Sequence, residues 1–429
     1  MISLTPLKTL QNLQFRRLLI GRFSLILGFR MLGTLLGWWI YQITKNPFAI
    51  GVIGLSEVIP AISSALYAGH MVDMNEKRKM LLSINGLYIF LIGGLCLLAF
   101  NADSWEFLEK TYAITFFGKE VFSSPIIAFL IYGIIFFTGF CRAFLGPILP
   151  AMIPKIVSKE VLPNAITLNQ ATFLTASVGG HAVGGLLISF IGVKYTLLVI
   201  ILLMFIALSF FSTLDKQPSE HNKNEVKLME SLKEGILYIY NTKEILGALC
   251  LDMFAVLFGG AVAMIPAFAT DILKVGAKGF GLLNAASDIG SMLIIITLSF
   301  IPLQRHQGKI LLATIFGFGF CIVGFGLSEI YWISFFMLML SGMFDGISVV
   351  IRGTIIQLKT PDKIRGRVLS VNSIFIMSSN EMGQFESGVA SKILGVARSV
   401  VFGGSMTLLI ALIVAIFNPK LRNMEYRNE

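Results

Sequence analysis

Long apolar stretches alternate with short polar ones along the whole chain. The apolar runs occupy residues 18–42, 48–69, 80–100, 124–150, 166–190, 195–213, 244–269, 279–301, 310–328, 331–357, 368–394 and 397–418. A helix needs about 20 apolar residues to cross the hydrocarbon core of a bilayer, so each run is long enough for one crossing. The pattern predicts an all-α membrane protein with twelve transmembrane helices in two pseudo-symmetric six-helix bundles. The one long polar interruption, Asp215 to Lys243, contains the run Lys216 to Glu225 and divides six spans from six. The expected domains are therefore an N-terminal bundle (1–213), a cytoplasmic linker (214–243) and a C-terminal bundle (244–429). Apolar residues at helical spacing from Val226 to Tyr240 predict a surface helix within the linker.

Composition agrees with the pattern. Of 429 residues, 55% are hydrophobic and 14% charged, against roughly 25% charged in soluble domains. A water-soluble globule is excluded. The net charge of +10 raises the question of nucleic acid, and topology answers it. With a cytoplasmic start, 22 of the 34 Lys and Arg fall in cytoplasmic segments, eight in external ones or at the external ends of spans (Lys392 and Arg398), and four (Arg22, Arg30, Arg142, Arg352) deeper within spans. That bias follows the positive-inside rule. It places both termini in the cytoplasm, makes the lipid bilayer the expected partner and leaves no reason to expect nucleic acid. Nothing in the pattern asks for an oligomer, so a monomer is expected.

Several chemistries are missing. Cys96, Cys141, Cys250 and Cys321 stand singly in apolar stretches, so neither a disulfide framework nor a metal site is expected. The chain has no GxSxG, HExxH or GxGD motif, which argues against an intramembrane enzyme. It also has no GxxxxGK[ST] loop, which argues against ATP as a cofactor.

The halves resemble each other. Thr138 to Arg142 corresponds to Ser341 to Asp345, and the same offset of 203 residues carries Ala165–Asn169 to Val368–Asn372. Internal duplication of six-span bundles marks transporters built around a midplane site. Ionisable groups inside spans are costly unless they meet water or a partner. Arg30, Arg142, Asp252 and Asp345 lie on spans 1, 4, 7 and 10, which are equivalent helices under that duplication. Arg142 and Asp345 could serve a cavity or form a structural pair, and Glu57 could be an interhelical hydrogen-bonder. Asp345 and Arg352, seven residues apart, share a helix face, although Arg352 could equally pair with Asp252. Span 11 carries a polar stripe that includes Asn380, Glu381 and Gln384. It reads as a cavity wall or as a helix-packing seam. Arg22 is placed to snorkel, and Trp38 and Trp39 to anchor span 1 at an interface.

These motifs resemble the major facilitator superfamily over nearly the whole chain. Gly69-His-Met-Val-Asp73, followed by Lys77 and Arg78, resembles the superfamily's cytoplasmic loop motif, with Met74 and Glu76 departing from it. Arg142-Ala-Phe-Leu-Gly146 resembles its second motif. Gly180-His181-Ala-Val-Gly184 resembles an exporter motif in which Pro normally stands at position 181. The block Gly342–Gly388, with Arg352, Arg365 and Arg367, is similar to the branch containing siderophore (enterobactin) exporters and macrolide efflux proteins.

The resemblance implies a secondary transporter of a bacterial inner membrane that exports a small molecule by alternating access, powered by the proton gradient. An anionic siderophore is the expected substrate, and macrolide or multidrug efflux is the alternative. Arg30, Arg142, Asn380, Glu381 and Gln384 are the candidate substrate contacts. Asp252, Asp288, Asp345 and His181 are the candidates for proton coupling, although His181 could also be a hydrogen-bonded packing residue. Gly69, Asp73, Lys77, Arg78, Arg352, Arg365 and Arg367 are the candidates for gating.

Overall fold

The computed structural model describes residues 9–102, 104–116, 119–158, 160–216, 228–301, 303 and 305–425. Helices dominate: α1 (Leu13–Thr44), α2 (Pro47–Met74), α3 (Lys77–Asn101), α4 (Ile126–Ile156), α5 (Leu162–Ser212), α6 (Leu228–Asn241) and α7 (Lys243–Phe258). They continue with α8 (Gly276–Phe300), α9 (Gln307–Leu327), α10 (Tyr331–Lys359), α11 (Asp362–Leu394), α12 (Val396–Phe417) and the short α13 (Pro419–Arg422). The surface helix expected in the linker is α6. The polar run before it lies, beyond Lys216, outside the described residues.

Ten of these segments are long and apolar enough to cross a membrane, where the sequence suggested twelve. Two causes account for the difference. α5 is counted once, yet its 51 residues rise about 76 Å at 1.5 Å per residue, over twice the hydrocarbon thickness. It is two helical arms joined at Gly192, whose φ of 76° is open to glycine and costly for other residues. α11 has the length, at 33 residues, but its polar stripe keeps it out of the apolar set.

The duplication is visible in the backbone. Gly395, between α11 and α12, has φ 84° and ψ 160°, and Gly192 has φ 76° and ψ 176°. The two turns are separated by the same 203 residues as the sequence matches, and each joins the last two spans of its half.

The chain forms two compact units. The first comprises Met1–Lys45 and Ser56–Lys223, the second Asn46–Leu55 and Asn224–Glu429. In the first unit α1 lies along both arms of α5. A Cβ on Gly180 would meet the Arg30 Cβ at 2.5 Å, and one on Gly184 would meet the Met31 Cα at 3.2 Å. Lipid tails supply no hydrophobic drive between helices, so close backbone approach at small residues holds such pairs. In the second unit Ile245, Leu249 and Leu251 of α7 form a buried core with Leu311 and Ile315 of α9, Ile351 and Ile355 of α10, and Val368 of α11.

Three features depart from the expected pattern. A two-stranded antiparallel hairpin, β1 (Thr111–Phe116) with β2 (Lys119–Pro125), precedes α4. Its signal was the β-branched and aromatic run Thr111-Tyr-Ala-Ile-Thr-Phe116. Span 7 is also not one helix: α7 ends at Phe258, and Gly259-Gly260 lead into a 3-10 turn, Ala261–Met264, and a π turn, Phe268–Ile272. A Cβ on Gly260 would meet the Gly383 carbonyl at 2.6 Å and Ser387 Oγ at 2.7 Å, so the break is where α11 comes closest. Finally, Trp39 is buried at 7% exposure, packed into the core of its unit.

Candidate functional site

The geometry starts from one helix crossing repeated in each unit. In the first, Gly139 of α4 lies against the Glu57 carbonyl of α2 so closely that a Cβ would collide. In the second, its repeat equivalent Gly342 of α10 lies in the same way against the Ser287 carbonyl of α8. Ser291 tightens this second crossing by donating to the Gly342 carbonyl at 2.8 Å. Three residues beyond each glycine comes a charged position, and here the units diverge.

In the first unit that position is Arg142, which donates to the Glu57 carboxylate. Arg142 thus has a carboxylate partner on a neighbouring helix of its own unit. In the second unit the position is Asp345, and the residue after Ser287 is Asp288. The Asp345 carboxyl lies within electrostatic reach of both Asp288 and Arg352. One crossing thus holds a salt bridge in one half and two carboxyls in the other.

Arg352 is held elsewhere. Its Nη1 donates to Asp252 Oδ2 and its Nε to Ser348 Oγ at 3.2 Å. Asp252 and Arg352 are each 5% exposed, and the second Asp252 oxygen, Oδ1, is buried with no hydrogen-bond partner. The half-buried Asp345 makes no hydrogen bond and no close ion pair among the described residues. Asp252 is in turn within electrostatic reach of Asp345. Asp252 and Asp345 therefore both lie within electrostatic reach of one guanidinium, and Asp288 lies beside Asp345.

The first unit has the opposite character at Arg30. This residue lies near the middle of α1, half-buried, with its guanidinium 5.5 Å from the centre of the Phe173 ring of α5. Arg30 makes no ion pair among the described residues. One turn on, Thr34 Oγ1 donates to the Arg30 carbonyl at 3.0 Å and lies 2.9 Å from His181 Nδ1. A hydroxyl has one proton to give. With that proton on the Arg30 carbonyl, Thr34 accepts from His181 and the imidazole carries its hydrogen on Nδ1. His181 thereby ties α5 to α1 beside the cation. Arg22, expected at the headgroups, is half-buried, and its Nε is buried without a partner.

The span 11 residues fall into two groups. Gln384 donates to Glu381 at 2.8 Å, and both pack on the first turns of α2, where a Cβ on Gly54 would lie 3.0 Å from Gln384 Cβ. Asn380 is exposed and donates to its own helix at Ile376. Glu381 and Gln384 thus lie in a helix seam, and Asn380 does not join them.

The residues expected to gate are dispersed. Lys77 is buried at 4% exposure, and Arg78 donates to the Ser212 carbonyl. Arg365 donates to the Thr360 carbonyl at 3.2 Å, and Arg367 pairs with Glu234 of α6. Gly69 has open space where a Cβ would go. The Asp73 side chain lies outside the described residues. Arg352 stands apart, buried with Asp252. Sequence reasoning missed Phe173, Thr34, Ser348 and Glu234 as partners. Only Ser348, one turn before Arg352, had a signal in its spacing. Among the described residues no cluster of His, Cys, Asp or Glu could hold a metal ion.

Two buried polar centres in a duplicated helical frame suggest a transporter, and comparison with known proteins decides the matter. The pattern of the transmembrane secretion effector family matches residues 4–429. The chain belongs to that family. Its relatives are major facilitator transporters, and the chain is a multi-pass membrane transporter of that superfamily, not an enzyme.

The enterobactin exporter EntS of Shigella dysenteriae is 22% identical over 428 residues, covering 99% of this chain and 95% of the exporter. An uncharacterised MFS-type transporter of Bacillus subtilis, YfmI, is 25% identical over 297 residues, covering 66% of this chain and 71% of that protein. Among solved structures, a variant of the nucleoside transporter NupG superposes with a TM-score of 0.72 at 12% identity, covering 93% of this chain and 98% of that one. A D-xylose–proton symporter gives 0.70 at 14%, covering 96% and 99%. These structures share the fold.

Proposed function

We propose that this transporter is a proton-driven exporter of a siderophore or a similar anionic secondary metabolite, working in a bacterial inner membrane with both termini in the cytoplasm. The observation that carries the reading is Arg30, a half-buried cation near the middle of α1 that lies over the Phe173 ring. A guanidinium at bilayer depth is costly, and a ligand anion offsets that cost. Its planar fork suits carboxylate and catecholate oxygens, and the Phe173 ring suits an aromatic ligand. Similarity to enterobactin exporters along nearly the whole chain supports the same class.

Coupling falls to the second unit. Asp345 and Asp288 are the groups that take up and release the proton, while Asp252 holds Arg352. A carboxyl gains a proton when like charge and burial dominate and loses it when a cation approaches. Movement of Arg352 between Asp252 and Asp345 links protonation to conformation. A proton crossing about 150 mV releases about 3.5 kcal/mol, enough to hold a gradient of a few hundredfold for a neutral solute.

A deletion strain tests the assignment. The expected result is loss of siderophore from the culture supernatant with unchanged macrolide susceptibility. Normal siderophore secretion with raised macrolide sensitivity would transfer the protein to drug efflux.

A further inference from the structure

Outside both polar centres, a lateral groove of about 490 Å³ opens between α3, α4 and the Asn75–Glu76 turn. Its walls change character along their length. At the turn end stand Asn75, Glu76, Lys79 and Ser83. Deeper in, it is lined by Ile84, Leu87, Phe140 and Phe144, of which Leu87 is 50% and Phe140 40% exposed. Lys79 and Leu87 are eight positions apart, about 12 Å along the helix. The groove therefore runs from a charged mouth, where Lys79 stands beside Glu76, to an apolar interior.

The mouth has charge where a helix alone would not put it. α3 begins Lys77-Arg78-Lys79 with no acidic residue in its first turn, although the N-terminus of a helix already carries partial positive charge. Glu76 caps Lys79 N at 3.2 Å and opposes only part of it. Arg78 is committed to the Ser212 carbonyl, and Lys77 is buried. The Lys79 ammonium is exposed at the groove mouth and makes no ion pair among the described residues. An anion joined to an apolar chain satisfies both ends at once. A free phosphate would leave the aromatic walls uncovered.

We propose that this groove binds an anionic phospholipid from the leaflet on the side of the α2–α3 turn. Its phosphate sits at Lys79, and one acyl chain lies along Ser83, Leu87 and Phe140. The site is independent of the transported substrate.

The test uses full-length protein in bilayers containing phosphatidylglycerol or phosphatidylcholine, each with the same photoactivatable acyl chain, followed by peptide mapping. Labelling of the α3 and α4 segments around Leu87 and Phe140 should favour phosphatidylglycerol by about fivefold, the contribution of one lysine near a lipid surface. Lys79→Glu should remove that preference. Ser83→Trp should fill the groove and suppress labelling there by both lipids, while labelling of an apolar groove at Phe316 and Phe320 stays constant and reports intact folding. Equal labelling by the two lipids in the unaltered protein, or a preference that survives Lys79→Glu, overturns the proposal.

Discussion

Arg352 of α10 donates to the Asp252 carboxylate of α7, and both side chains are almost fully buried. Breaking such a pair leaves one charge stranded and costs about 3–5 kcal/mol, whereas replacing both partners with apolar groups is often close to neutral. Asp252→Leu and Arg352→Leu should therefore each lower the unfolding temperature more than the double replacement does. Thermal unfolding in detergent checks this. Additive losses would mean that the two do not act as a pair.

Among the described residues Asp345 has no such partner, and that difference sets its expected behaviour. Asp345→Asn and Asp288→Asn should leave the protein folded and able to bind substrate, but with flux that no longer follows an imposed pH gradient. Flux at several gradients in proteoliposomes measures it. Wild-type dependence on the gradient in both variants would remove the two carboxyls from the coupling scheme.

Glu57 and Arg142 invite a swap. If their pair is structural, the exchanged variant Glu57→Arg with Arg142→Glu should recover most of the transport that Arg142→Glu alone destroys. A direct substrate contact at Arg142 predicts no recovery, because the cation would then stand on another helix.

The Gly342 crossing brings Asp288 and Asp345 together, and it tolerates no side chain. Gly342→Val should reduce folded yield sharply, since overpacking of this kind costs about 1–3 kcal/mol or more. Gly353, on the same helix with open space around it, should accept Ala with little change. Fluorescence-detected size exclusion separates the outcomes.

Much of the frame was legible because its causes are local. Apolar run length located ten membrane-long segments of the twelve expected, the 203-residue offset marked the duplication, and helical spacing marked α6. Partner choice was less legible. Arg142 and Asp345 are equivalent in sequence, yet among the described residues only Arg142 of the two is salt-bridged, because α2 offers Glu57 where α8 offers Ser287 and Asp288. The Thr34–His181 contact depends on how α1 settles against Gly180, which no spacing along either helix records. The break of span 7 at Gly259-Gly260 was marked by two adjacent glycines, but its cause, the close approach of α11, is tertiary. Glu381 and Gln384 read as a polar stripe from sequence, and their placement against Gly51 and Gly54 required the packing of α2's first turns.

Gradient-driven flux of a catecholate siderophore in proteoliposomes, comparing the wild-type chain with Arg30→Ala, tests the central claim most directly. The account predicts flux that collapses when the pH gradient is dissipated. It also predicts that Arg30→Ala lowers this flux about tenfold or more, the loss of one charge-assisted hydrogen bond, while a neutral solute carried by the same protein is unaffected. Flux that ignores the gradient, or an equal loss for anionic and neutral solutes, would contradict it.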